Sequence, residues 1–261
     1  MIYDIADFEF GDEMKSRSVR LFLAAIIYGS VPTEAARAGP RLLFDGTNGQ
    51  ALEAKDIEQP WFPASLTKLM TAYIVFDTWK SGKVARNSKI TVSAKANSRP
   101  KTRLGIGAGK EITYDEAISA LVLLSANDVA VALAEAVSGS EEAFVAGMNL
   151  TAARLGMFET HFINTNGLPG EDQYTTAKDL AMLVTALVRD FPEQFQIFSQ
   201  QTAHIGAKQI ATHNQLLTIV AGADGMKTVF TCSAGYNIIA SAISPGFAHH
   251  PAASDAAIDP S

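Results

Sequence analysis

Pro63-Ala64-Ser65-Leu66-Thr67-Lys68-Leu69-Met70-Thr71-Ala72-Tyr73-Ile74-Val75-Phe76 places a hydroxyl and an amine three residues apart at the head of an apolar run. The proline and the run behind it predict a helix that opens near Ser65 and continues to about Trp79, with Ser81-Gly82 as its stop. At i and i+3 the two side chains share one helical face. A serine is a poor nucleophile until a base takes its proton, and an amine held neutral in a dry pocket can do so. A helix start adds free backbone N–H groups and partial positive charge beside a developing anion. Taken alone, the tetrad has a plainer reading, with the serine as a helix cap and the lysine as a solvated side chain. The rest of the chain decides between them.

Outward from this helix the pattern is orderly. Arg41 to Gly46 and Gly49 to Ala54 read as a hairpin about a Gly-rich turn. Residues 90–110 read as short strands and loops. Thr113-Tyr114-Asp115-Glu116 is a capping box ahead of a second helix. Asn127 to Val137, Ser140 to Leu155 and Thr176 to Val188 read as three more helices. Asp224 to Phe230 and Tyr236 to Ser241 read as paired strands. Strands at both ends with helices between them predict an α+β fold, an antiparallel sheet from the two ends of the chain with an inserted helical subdomain.

The 261 residues suffice for one large domain or two small ones, and 48% hydrophobic with 18% charged residues is a globular composition. A net charge of −6 without basic clusters beyond the N-terminal segment points away from a phosphate-binding surface, so no nucleic acid is expected as partner. Lys15-Ser16-Arg17-Ser18-Val19-Arg20, the apolar stretch Leu21 to Val31 and Ala36-Arg37-Ala38 read as the three regions of a secretory leader. The apolar stretch is short for a bilayer span, so no integral membrane span is expected after its removal. Residues 1–38 are therefore expected to be an N-terminal extension and leader, with Met14 as an alternative start. Residues 39–241 are expected to be the catalytic domain of an exported, periplasmic or otherwise extracytoplasmic protein. The single cysteine, Cys232, reads as a small buried hydrophobe.

Three further segments carry chemistry. Ser125-Ala126-Asn127 falls between two helices and can present a hydroxyl and a carboxamide to a cleft. Lys227-Thr228-Val229 follows Asp224-Gly225 on a strand. His161 to Pro169 is a polar loop suited to lining a site. In this order the segments resemble the penicillin-binding proteins and serine β-lactamases, with their Ser-x-x-Lys, Ser-x-Asn and Lys-Thr-Gly trio. Residues 63–72, 125–130 and 224–228, with Thr165-Asn166-Gly167-Leu168 and Gly235-Tyr236-Asn237, are similar to the low-molecular-mass D-alanyl-D-alanine carboxypeptidases, and the resemblance extends from about Leu42 to Ser241.

That resemblance implies an activity and its residues. Ser65 would attack the penultimate D-alanine carbonyl of a peptidoglycan stem peptide, with Lys68 as base. Ser125 would relay a proton to the leaving D-alanine, and Asn127 would hold the substrate amide. Lys227 and Thr228 would bind the terminal carboxylate, and the backbone N–H groups of Ser65 and Phe230 would form the oxyanion hole. β-Lactams would be covalent inhibitors, and no cofactor or metal is implied.

Two departures matter. The family's third motif ends in glycine where this chain has Val229, on the same strand face as Lys227, so crowding and impaired turnover are expected. Beyond Ser241 the chain runs into Pro- and Ala-rich sequence, so residues 242–261 are expected to form an atypical, disordered tail. An apparent C-terminal truncation is then expected to leave the last sheet strand missing and a strand edge unpaired. Three alternatives follow. The first is an inactive penicillin- or peptidoglycan-binding remnant. The second is a β-lactamase-like hydrolase using Glu171 or Asp172 for deacylation. The third, a zinc peptidase, is set aside because His161, His204 and His213 lack ligand spacing.

Overall fold

The computed structural model describes residues 20–27, 39–46, 48–231 and 235–243, with side chains described outside 20–27 and 228–236. A five-stranded antiparallel sheet combines β1 (Arg20–Ile27), β2 (Arg41–Asp45), β3 (Ala51–Lys55), β8 (Ala223–Thr231) and β9 (Gly235–Ile243), in the order β3-β2-β1-β9-β8. Between β3 and β8 come α1 (Thr67–Lys80), β4 (Lys89–Thr91), α2 (Ala94–Asn97), β5 (Glu111–Thr113), α3 (Tyr114–Leu123), α4 (Asn127–Ser138) and α5 (Glu141–Arg154). They are followed by α6 (Ala177–Asp190), α7 (Pro192–Phe195), the hairpin β6 (Thr202–Ile205) and β7 (Lys208–Ala211), and α8 (Leu216–Ile219). The expected sheet from both ends of the chain with helices between is therefore what the fold contains.

Local chemistry sets the helix ends. At α3 the capping box forms in full, Thr113 accepting from Glu116 N and Glu116 accepting from Thr113 N. Ser140 and Thr176 cap α5 and α6 by accepting from Ala143 N and Asp179 N. Gly139 closes α4 in the left-handed region, where a residue without Cβ is unstrained. Helix α1 is apolar nearly all round and so is enclosed, packing against α3, α4, α5 and α6. That position at the centre of the molecule, and not propensity alone, takes Lys68 out of water.

Three differences from the sequence reading have physical reasons. Residues 90–110 include a short helix, α2, because Ser93 caps it by accepting from Ala96 N. The β6–β7 hairpin was not anticipated; its alternation is short and turns at Gly206. The largest difference is β1. Arg20–Ile27 lies inside the stretch read as a leader, yet it pairs with β2 on one side and β9 on the other, from Leu21↔Asp45 to Ala25↔Arg41 and from Arg20↔Ile243 to Ile27↔Tyr236. β1 thus lies between β2 and β9, and Ala242 and Ile243 extend β9 past Ser241. An apolar run free of Pro and Gly serves a leader and a central strand equally well. The remaining leader residues, Cys232 and residues 244–261 lie outside the described residues.

A chain beginning at Gly39 would lack β1, leaving the facing backbone groups of β2 and β9 without their ladder. Losing a central strand should cost at least about 3 kcal/mol, or about 6–12 °C in melting temperature for a domain of this size. Calorimetry of the whole chain against residues 39–261 checks this. Equal melting temperatures would show that β1 contributes nothing.

Candidate active site

The site begins at a 3-10 turn, Ala64–Leu66, ahead of α1. Ala64 adopts a positive φ of 47°, which turns the chain sharply into the helix. The N-cap of α1 is Leu66 and makes no side-chain capping bond, so the Ser65 hydroxyl does not serve as a cap. It faces Lys68 instead, with 3.0 Å between Ser65 Oγ and Lys68 Nζ.

Lys68 is 1% exposed. Burial first, and the nearby Lys227 cation second, hold its amine well below the usual lysine range. Besides Ser65, Nζ donates to Asn127 Oδ1 at 2.9 Å and to the Asn166 carbonyl. Neither of those acceptors can donate. A neutral amine has two N–H bonds and one lone pair. In that neutral form the two acceptors would take both N–H bonds, and the lone pair would face the one partner with a proton to give, Ser65.

The Asn127 carboxamide is oriented from behind, because its Nδ2 donates to the Pro100 carbonyl at 3.1 Å, which fixes Oδ1 toward Lys68. Both ends of the amide expected to hold substrate are thus engaged within the protein. The turn before α4 is anchored by Asn127 N to the Thr102 carbonyl, and by Asp128, which accepts from Leu104 N and Gly105 N. The N-cap of α4 is Ala126, again without a side-chain bond, so Ser125 is not a capping residue either. Ser125 sits at φ 58°, and its buried Oγ has no hydrogen-bond partner among the described residues. An unpartnered buried hydroxyl on a strained backbone is a mark of a functional position.

The loop 164–168 closes the site. Asn164 Oδ1 accepts from Gly167 N and Asn166 N, and Asn166 Oδ1 accepts from Leu168 N, so the turn is held by its own side chains. From the other side β8 and β9 pack against the Ala64–Leu66 turn, and Asn237 Nδ2 donates to the Phe62 carbonyl. Lys227, on β8, is buried, and its Nζ donates to the Val122 carbonyl near the end of α3 at 3.3 Å. Burial lowers its pKa to about 7. Thr228, Val229 and Phe230 follow on the same strand, with Val229 opposite Asn237 in the ladder.

The three sequence segments therefore meet at one place. The structure joins Ser65, Lys68 and Asn127 by hydrogen bonds and brings Lys227 close enough for its charge to act on Lys68. Ser125 has no bond to Lys227. Sequence reasoning missed the Asn166 carbonyl, because a backbone acceptor has no residue-type signature. Glu171 and Asp172 are exposed, and no hydrogen bond links either to Ser65 or Lys68 among the described residues. Among the described residues there is no group of three His, Cys, Asp or Glu able to hold a metal ion.

A serine facing a buried lysine at the head of a central helix, beside a sheet strand carrying a second buried lysine, defines the penicillin-binding-protein class of fold and site. The sequence profile of peptidase family S11, described as D-alanyl-D-alanine carboxypeptidase, matches residues 29–248, and the chain belongs to that family. It is 33% identical over 219 residues to D-alanyl-D-alanine carboxypeptidase DacA of Haemophilus influenzae, covering 82% of this chain and 56% of that protein. The structure of penicillin binding protein 5 from the same organism superposes with a TM-score of 0.73 at 30% identity, covering 84% of this chain and 67% of that one. Penicillin-Binding Protein D2 of Listeria monocytogenes, solved in its cefotaxime-bound form, superposes with a TM-score of 0.69 at 26% identity, covering 82% and 92%. The chain spans about half the length of the curated relatives it matches.

Proposed function

We propose that this chain carries a serine D-Ala-D-Ala carboxypeptidase site that removes the terminal D-alanine of peptidoglycan stem peptides through an acyl-enzyme on Ser65. The observation that carries the reading is the Lys68 amine, which donates to Asn127 Oδ1 and the Asn166 carbonyl and lies 3.0 Å from Ser65 Oγ. Lys68 takes the Ser65 proton as Oγ adds to the penultimate carbonyl, a step worth about 10²–10⁴ in rate. The oxyanion forms against the N–H groups of Ser65 and Phe230, each donor worth about 10²–10³. Ser125 Oγ, without a partner among the described residues, relays the proton taken up by Lys68 to the departing D-alanine nitrogen, and water then releases the acyl group. Lys227, in its charged form, and Thr228 receive the substrate's terminal carboxylate. Asn127 acts in this scheme mainly by orienting Lys68.

β-Lactams mimic the D-Ala-D-Ala terminus and acylate the same serine, in keeping with the cefotaxime-bound relative. Stem peptides lie outside the cytoplasm, which suits an export segment within residues 1–38; cleavage at Gly39 would also take β1 from the sheet, so Arg20–Ile27 serves either as leader or as the strand between β2 and β9. Among the described residues no helix is long and apolar enough to cross a membrane.

The test is intact-mass spectrometry after incubation with benzylpenicillin. A single adduct is expected on Ser65, absent in Ser65→Ala, together with D-alanine release from a pentapeptide. With no adduct the site is inert, as the remnant reading holds; rapid turnover of penicillin would instead favour a β-lactamase. Where the family pattern has glycine this chain has Val229, two residues along β8 from Lys227. Crowding there costs about 1–3 kcal/mol, so Val229→Gly should speed acylation about tenfold to a hundredfold. A rate unchanged by that substitution would clear Val229 of any inhibitory part.

A further inference from the structure

Helix α5 begins with a carboxylate that sequence alone explains as an ordinary first-turn acid, favourable at the positive end of a helix. Its surroundings are more specific. Glu141 is 6% exposed, and its Oε2 is held by Arg99 and, at 3.3 Å, by Lys95. Its Oε1 accepts from the Thr165 hydroxyl at 3.1 Å and is 3.5 Å from Thr165 N. On the far side Thr165 is gripped again, because its carbonyl accepts from Thr71 Oγ1 at 2.8 Å, and Thr71 lies on α1 one turn beyond Lys68. The next carbonyl along the chain is that of Asn166, the acceptor that takes one Lys68 N–H.

These contacts form one chain from a surface ion pair to the reacting amine. Thr165, held by side chain and carbonyl, fixes the 165–166 peptide, and Asn164 Oδ1, accepting from Gly167 N at 2.7 Å, holds the next peptide, so the Asn166 oxygen between these two anchors is aimed at Lys68. If that oxygen turns away, Lys68 loses an acceptor, and its lone pair is no longer confined to Ser65. Resting on the acylation reading above, we propose that Glu141 is a positioning residue for that step: clamped by Arg99 and Lys95, it fixes Thr165 so that the Asn166 carbonyl keeps the Lys68 lone pair on Ser65. Glu141 touches neither Ser65 nor Lys68, so it acts through Thr165.

The prediction separates a rate from an affinity. In Glu141→Ala the saturating rate constant for acylation of Ser65 by benzylpenicillin should fall about tenfold to a hundredfold, as an ångström-scale misplacement of a reacting group does, while the half-saturating penicillin concentration stays within twofold. Thr165→Val keeps the shape and removes the hydroxyl donor. It should reproduce the loss, and the double variant should be no slower than either single one. Stopped-flow acylation of the three variants and the wild type measures this, with circular dichroism to check folding. Thr165→Val carries the test if Glu141→Ala does not fold. Unchanged rates, additive losses, or a weakened half-saturation at unchanged rate would overturn the positioning role. A wild type without any Ser65 adduct would overturn the acylation reading as well, so the two failures are told apart.

Discussion

Replacing Lys68 with methionine should lower the rate of Ser65 acylation by benzylpenicillin about a thousandfold, the loss of a general base acting at hydrogen-bond distance. Methionine fills much of the same volume, so the apolar packing of α1 survives while the lone pair is lost. Two acceptors, Asn127 Oδ1 and the Asn166 carbonyl, lose their donor. An adduct formed within a factor of three of the wild-type rate would remove Lys68 from the mechanism.

The same substitution has a signature in stability. Burial first, and Lys227 second, hold the Lys68 pKa well below the ordinary lysine range in the folded chain, whereas in the unfolded chain it regains the ordinary value of 10.5. A lysine with a depressed folded pKa binds more protons when unfolded, so folding stability rises with pH between the folded value and 10.5. One such proton corresponds to a slope of about 1.4 kcal/mol per pH unit. Lys68→Met should flatten the stability–pH curve by that one proton, and a curve of unchanged slope would mean that Lys68 stays charged. Lys227 adds a limb to the rate itself. With a pKa of about 7 it loses its charge above neutrality and, with it, the proposed hold on the substrate carboxylate. Acylation should therefore rise with pH as Lys68 is freed of its proton and decline as Lys227 discharges. Lys227→Gln should move the rising limb to higher pH, because removing a neighbouring positive charge makes protonation of Lys68 easier.

The parts of the site that can be read in sequence are those whose chemistry resides in side chains at short or motif-bound spacing. Ser65 and Lys68 are one helical turn apart, Ser125 and Asn127 flank a single residue, and Lys227 sits on a strand announced by alternation. The hairpin of β2 and β3, the capped helices and the final strand pair follow from the same local rules. What is hidden depends on distant packing. The Asn166 and Pro100 carbonyls orient Lys68 and Asn127, yet any residue type supplies a carbonyl. Glu141 is masked by a generic explanation that is also true. Arg20–Ile27 has a composition that satisfies a leader and a strand alike, and only pairing with β2 and β9 distinguishes them. The buried state of Lys68 is a property of α1 being enclosed by four other helices, which no window of sequence contains.

Gly167 concentrates these long-range demands at one atom. It has φ +79° and lies against the peptide that precedes the nucleophile, where an added Cβ would come within 1.8 Å of the Ala64 carbonyl oxygen and 2.9 Å of Ser65 N. No flexible side-chain end is there to give way, so Gly167→Ala must displace backbone. The displaced groups are the Asn166 carbonyl on one side and the Ser65 N–H on the other, in the proposed mechanism the acceptor that orients the base and a donor to the oxyanion. Steric overlap together with a left-handed alanine should cost about 2–4 kcal/mol in stability. Acylation should fall at least about a hundredfold, since both the base and an oxyanion donor move. Gly82 provides the control. It has a similar φ of +70° with nothing within 4 Å of the added Cβ, so Gly82→Ala isolates the backbone preference. That variant should lose only about 1 kcal/mol and acylate at the wild-type rate. Were Gly167→Ala to match it in both melting temperature and acylation rate, the close contact between the loop and the Ala64–Ser65 peptide would have no part in holding the nucleophile.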